Sequence, residues 1–368
     1  MNILIAVLII FIVIPSAINS DYLPHLIPPV KAKKTISIPF QLTSLNQIIT
    51  NLCLGTPPIC YPFKIATNIN ECFIFDKSIY EAGYDITRSS SAYQVEDYVE
   101  FEHALSKYEG IIVEDTLSIP DTSIVIENFN FFVVNKGETS SFYAGVLGMG
   151  KKYEDNEFSF LSMLYQTDFI DNQVFSLSYL PNDSKGIMKL GYHEIPDKKI
   201  YKSVELIEDD DIPYFEIMMD GILYENELSG VDNYISTYTH SQVSLLSPGA
   251  NNIYCPEEFF KVLIEKIFAD IIQPKIFCDL EKEGNIRIIE CAPEILDYNL
   301  GSIRFVFGKW NVIMSFKELF ADCGNNSNLC FSIMSVDDNH KWIFGYPFLK
   351  RFPVLFDFDY FEIYLKTK

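Results

Sequence analysis

Phe142-Tyr143-Ala144-Gly145-Val146-Leu147-Gly148-Met149-Gly150 has a near-counterpart far downstream, Trp342-Ile343-Phe344-Gly345-Tyr346-Pro347-Phe348-Leu349. In each, apolar residues run straight into a glycine, the mark of a short buried strand that stops at a tight turn. Each is preceded, at a distance, by a hydrophobic strand that ends in a polar triplet. In the first half Phe63-Lys64-Ile65 leads into Ala66-Thr67-Asn68. In the second half Tyr238-Thr239 leads into His240-Ser241-Gln242. An order of features that occurs twice predicts a two-lobed β protein with internal pseudosymmetry.

Outward from these stretches the chain reads mostly as strands. Thr35–Leu42, Ile111–Ile119, Ser123–Val134, Val174–Leu180 and Phe215–Leu223 alternate and are rich in Ile, Val, Phe and Tyr. Turn residues separate them at Gly55-Thr56-Pro57-Pro58, Pro181-Asn182-Asp183, Asp209-Asp210-Asp211 and Ser247-Pro248-Gly249. Two helices are predicted, Ser159–Tyr165 and Pro256–Ile271; the second opens on proline and carries two acids in its first turn. The acidic stretch 193–211 marks the junction, with an N-terminal lobe over 35–195 and a C-terminal lobe over 196–368. The aromatic stretch Asn128-Phe129-Asn130-Phe131-Phe132 reads as a buried strand. The run Glu208-Asp209-Asp210-Asp211 reads as a solvated turn, since it matches no calcium-loop pattern.

With 48% hydrophobic and 21% charged residues, intrinsic disorder and coiled coil are poor fits. Fifty acidic residues against 28 basic ones leave a net charge of −22, which repels phosphate backbones and argues against a nucleic-acid partner. The largest basic cluster, Lys31-Ala32-Lys33-Lys34, is too small to reverse that.

The apolar run 3–15 is shorter than the ~20 residues that a membrane span needs, and suits the core of a signal peptide. Cleavage is expected after Ser20. A short segment 21–34 then precedes the first strand, and the mature chain keeps no membrane anchor. Eight cysteines fit the oxidising secretory route. No Cys-x-x-Cys pair occurs, so zinc and redox motifs are not supported. Asn182 and Asn325 head glycosylation sequons. The expected location is secreted, or lumenal in the endolysosomal system.

The chain resembles the pepsin-like aspartic endopeptidases, peptidase family A1. Leu54-Gly55-Thr56-Pro57-Pro58 is similar to that family's first hairpin, and Phe142–Gly150 to its first-lobe "DGILGLG" segment. Val174-Phe175-Ser176-Leu177 and Gly186–Gly191 match two further strands. Trp342–Leu349 followed by Val354-Leu355-Phe356-Asp357-Phe358-Asp359 resembles the "ILGDPFLR…FDFDN" stretch near the family's C-terminus. The resemblance covers 35–365. It implies a mostly β, bilobal acid-protease fold of two pseudosymmetric barrel-like lobes with a cleft between them.

It also implies two carboxylates, one per lobe, each in an Asp-Thr/Ser-Gly loop. They share a proton because like charges so close cannot both ionise. One acts as base toward a bound water, and the other polarises the scissile carbonyl. The loop hydroxyls cross-brace the two lobes. Here the sequence departs from the family. Counted from the Gly-Thr-Pro-Pro hairpin, the first Asp falls on Ala66, with Thr67 keeping the hydroxyl and Asn68 in place of glycine. Asn tolerates a positive φ, so the turn is expected to survive. Anchored on Ser244-Leu245-Leu246, the second Asp falls on His240, with Ser241 keeping the hydroxyl. The tyrosine of the family's mobile flap falls on His103.

The expectation is therefore a pseudoprotease that binds a peptide or protein ligand in the interlobe cleft as a monomer. Alternatives are an active endopeptidase whose acids lie elsewhere, and a secreted storage or structural glycoprotein. Asp115, Asp232 and Asp322 are the candidates for a shifted carboxylate, and none has the required strand and triplet. No metal or cofactor is expected, since His103 and His240 have no evident third ligand. Eight cysteines allow 105 connectivities. By resemblance, Cys291 pairs with Cys330 or Cys323. Cys255 with Cys278 would tie the second helix to its following strand, and Cys53 and Cys60 flank a hairpin. With three cysteines before the junction and five after, either a bridge crosses the halves or a free thiol remains in each.

Overall fold

The structure, a computed structural model, describes residues 34–103, 106–139, 142–150, 159–180, 184–191, 201–207, 215–225, 232–234, 242–265, 278–298, 300–323, 328–336 and 341–366. The leader, Asn182, Asn325, Glu208–Asp211, His240 and Ser241 lie outside the described residues, and of His103 only the backbone is described. Among the described residues no helix is long and apolar enough to cross a membrane.

The strand Thr35–Leu42 shows how the sheets are built. Ile36, Ile38 and Phe40 point inward and the residues between them outward, the period-2 alternation of a strand with one buried face. It pairs antiparallel with Lys185–Gly191, from Thr35 opposite Gly191 to Gln41 opposite Lys185. These strands belong to a 13-stranded sheet that crosses between the halves. Its strands Val354–Asp357 and Glu362–Lys366, late in the chain, continue the ladder from Val174–Tyr179. A 9-stranded and a 4-stranded sheet complete the second half.

The expected segment Phe215–Leu223 is two strands in different sheets. Glu216–Met219 pairs with Gln242–Leu246, while Gly221–Glu225 pairs with Ser302–Phe307. The chain switches at Asp220, whose N–H donates to the Val306 carbonyl at 2.8 Å. The first helix runs Phe160–Gln166, close to its expected span; the second is Glu257–Leu263. The aromatic stretch at 128–132 lies in the strand Val125–Lys136, with Phe129, Phe131 and Phe132 all buried.

Three disulfides form, Cys53–Cys60, Cys278–Cys291 and Cys323–Cys330. The pairings of Cys291 with Cys330 or Cys323, and of Cys255 with Cys278, are corrected. Cys291 stands directly opposite Cys278 in an antiparallel hairpin. On its other side Cys291 faces Leu329, while Cys330 faces Glu290, so Cys291 and Cys330 are one step out of register. Cys72 and Cys255 are free and buried, one thiol in each half. Burial pushes the Cys72 thiol up to about 12 and raises Cys255 as well, which keeps both protonated and unreactive.

Candidate functional site: the junction of the two halves

The internal symmetry can be read from strand register. In the first half Ile59–Ala66 runs parallel to Gly145–Gly148, with Ile65 opposite Leu147 and Ala66 opposite Gly148. Phe73–Phe75 then pairs antiparallel with that same strand and parallel with Val125–Lys136. In the second half Gln242–Leu246 runs parallel to Trp342–Phe344, with Leu246 opposite Phe344. Ile253–Cys255 pairs antiparallel with that strand and parallel with Ile333–Val336.

Gly148 and Gly345 key the two copies together. A Cβ on Gly148 would lie 2.3 Å from the Glu71 carbonyl oxygen, and one on Gly345 would lie 2.2 Å from that of Asn252. Neither approach tolerates a side chain. With Gly148 matched to Gly345, Ala66 matches Ser247, Thr67 matches Pro248 and Asn68 matches Gly249. Ala66 then precedes Phe73 by the same interval as Ser247 precedes Tyr254. This corrects the second-half position, placed by sequence at His240. The missed signal was Leu245-Leu246 leading into Ser247-Pro248-Gly249, which keeps the triplet's glycine but reads equally well as an ordinary turn.

The two triplets touch. The buried Thr67 hydroxyl donates to the Leu246 carbonyl at 3.0 Å. A Cβ on Gly249 would sit 3.6 Å from Ala66 Cα. The second brace expected from Ser241 is not supplied at the matched position, because Pro248 has neither a hydroxyl nor an N–H. The turn after Thr67 also forms without a left-handed φ at Asn68. Ala66 is fully buried and Ser247 nearly so, at 4% exposure. Neither side chain carries an acid.

Lys64 was not singled out by sequence. It shares a strand face with Ala66, and Ile65 between them enters the main core. The lysine stem reaches across the junction, its Cε 3.4 Å from where a Cβ on Gly249 would lie. Its ammonium sits 5.8 Å from the Tyr143 ring centroid, and that ring stacks on Phe75 at 6.3 Å. Burial lowers the Lys64 pKa.

The hairpin Tyr93–His103 with Ser106–Ser118 packs beside this face. Phe101 stands opposite Tyr108 in it, and both pack on Phe73 at centroid distances of 5.3 and 5.4 Å. An aromatic cluster thus backs the junction on the first-half side. Farther along, a cavity of about 490 Å³ is lined from the first half by Ser44 to Asn46 and from the second by Asn251, Asn252 and Tyr254.

Asp115 is engaged elsewhere and Asp322 is exposed. Asp115 is buried and accepts from the Tyr84 hydroxyl at 2.6 Å, Ser89 at 3.0 Å, Ser91 at 2.6 Å and the Thr116 N–H at 2.8 Å. Asp322 is exposed on the short strand Phe320–Asp322, and Asp232 begins the strand Asp232–Tyr234.

The model of the eukaryotic aspartyl protease family matches residues 52–367. Among solved structures, the aspartic proteinase from Irpex lacteus superposes with a TM-score of 0.71 at 14% identity, covering 91% of this chain and 97% of that one. At that identity the likeness is one of fold. A comparison with curated protein sequences finds no match.

Proposed function

The chain belongs to the eukaryotic aspartyl protease family, and from that premise we propose that it is a secreted member without peptidase activity, which binds a peptide or protein ligand between its two halves. The observation that carries this reading is the matched pair Ala66 and Ser247. The family's chemistry needs an acid at each of the two symmetry-related positions, one to take a proton from water and one to give a proton to the carbonyl. Alanine can do neither. A serine without an oriented base is a poor nucleophile. Loss of a member of a cooperating catalytic set lowers turnover by up to ~10⁶.

Binding survives such a loss because the scaffold is independent of the acids. The groove between the halves keeps its covering hairpin, and an extended peptide can enter by strand-like pairing. Three disulfides support a lumenal or extracellular setting. N-terminal sequencing of the mature protein tests that part, with a start at Asp21 expected.

The test of inactivity is hydrolysis of a denatured protein and a quenched peptide library from acid to near-neutral pH, with and without pepstatin, beside an active family member. Silence is expected. Pepstatin-sensitive cleavage by the purified chain would overturn the reading.

A further inference from the structure

Among the described residues Lys64 is a cation without an anion. The chain has 50 acidic residues against 28 basic ones, so partners are plentiful. Lys34, Lys77, Lys107, Lys136, Lys261 and Lys341 all pair with carboxylates. Lys64 alone reaches the junction between the triplets, and there no hydrogen bond or ion pair satisfies it among the described residues. Its ammonium lies 5.8 Å from the centroid of the Tyr143 ring. A ring face attracts an ammonium but leaves its three N–H donors to be used elsewhere.

A lysine that only packed its stem here would be served as well by Met or Leu, without desolvating an ammonium. The charge of the site points the same way. An acid pair makes this junction negative in the family's chemistry. With Ala66 and Ser247 at those positions, neither matched residue brings a negative charge, and Lys64 brings a positive one on the face of Ala66.

We propose that the Lys64 ammonium anchors a carboxylate of the ligand that enters between the halves, either an acidic side chain of an extended peptide or a free C-terminus. The inference rests on the binding reading above and names its ligand class. The Tyr143 ring centroid lies 5.8 Å from the ammonium and Gly249 approaches the stem, and neither contact uses an N–H donor of Lys64. A charge-assisted hydrogen bond in a partly desolvated site discriminates an acid from its isosteric amide by about ten- to a hundredfold.

The experiment uses the mature full-length chain and three synthetic peptides of one apolar sequence. The first has a central Glu and blocked ends, the second has Gln in its place, and the third is the Gln peptide with a free C-terminus. Affinities are measured by calorimetry for the wild type, K64M and K64Q. In parallel, lysine-labelled protein is titrated with N-acetylglutamate methylamide while the Lys64 Cε resonance, assigned by its loss in K64M, is followed by NMR. The expected result is a preference for one carboxylate peptide over the blocked Gln peptide, abolished in both variants while the Gln peptide's affinity is kept. Which carboxylate peptide wins identifies the source. Equal binding of all three peptides, or a preference that survives K64M, overturns the anchor and leaves the binding reading intact. No peptide binding with a shifted Lys64 resonance keeps the anchor and overturns the peptide reading. Silence in both overturns both.

Discussion

The Thr67 hydroxyl and the Leu246 carbonyl, 179 positions apart in sequence, form a buried hydrogen bond of 3.0 Å that joins the two halves. The bond is one-sided, because Pro248 stands where a symmetric partner would need a donor. Replacing Thr67 by Val keeps the shape and removes the donor. T67V is expected to lower unfolding stability by about 1–3 kcal/mol, with T67S close to wild type. Urea titration of the three proteins measures this; equal midpoints would show that the brace contributes nothing.

Asp115 collects three hydroxyl donors and its neighbour's N–H in a buried pocket beside the Gly55 hairpin. Burial raises the Tyr84 phenol pKa and the Asp115 bond adds to that, so Tyr84 stays a donor. D115A strands the buried Tyr84 hydroxyl and is expected to destabilise by about 2–4 kcal/mol. D115N, which brings donors where an acceptor is needed, is expected to be destabilised too. Thermal unfolding of both variants checks the order.

Lys64 has a pKa lowered by burial, so the unfolded chain binds its proton more readily than the folded one. Stability from this group therefore rises as pH climbs through the window between the folded value and the ordinary 10.5, and the full penalty applies below that window. K64M is expected to be more stable than wild type at neutral pH by about 1–2 kcal/mol. The advantage should shrink as pH rises through the window. Urea unfolding at a series of pH values tests the sign; a wild type more stable than K64M at neutral pH contradicts it.

The cysteine pattern predicts a thiol count. Native protein should react slowly with Ellman's reagent, because Cys72 and Cys255 are buried. Denaturation without reductant should expose two thiols, and reduction all eight. Non-reducing peptide mapping should recover Cys278 linked to Cys291 and Cys323 linked to Cys330. A Cys291–Cys330 peptide would contradict the register of those strands.

Much of the fold was legible because it is written in local patterns. Ile36, Ile38 and Phe40 alternate as a half-buried strand must, and Thr35–Leu42 was placed to the residue. The glycines at 148 and 345 mark strand ends where a second backbone leaves no room for a Cβ. Ala66-Thr67 was reachable by counting from the nearby Gly-Thr-Pro-Pro hairpin, since the strands Ile48–Leu54 and Ile59–Ala66 are joined by a tight turn that sets their register.

Ser247 and Lys64 needed the tertiary structure. The strand before Ser247 takes its register from a parallel partner almost a hundred residues on, Trp342–Phe344, and no local turn links the two. Lys64 sits at an outward position of an alternating strand, where a lysine normally meets water. The approach of the Gly249 loop and the Tyr143 ring partly encloses it. Sequence by itself determined strands such as Thr35–Leu42, the twofold repeat of buried strand and glycine turn, and the register of Ala66 against its neighbouring hairpin, because short-range sterics and alternation decide those. The tertiary structure alone decided the second matched position, the disulfide pairing and the enclosed cation, because each depends on which distant backbones come together.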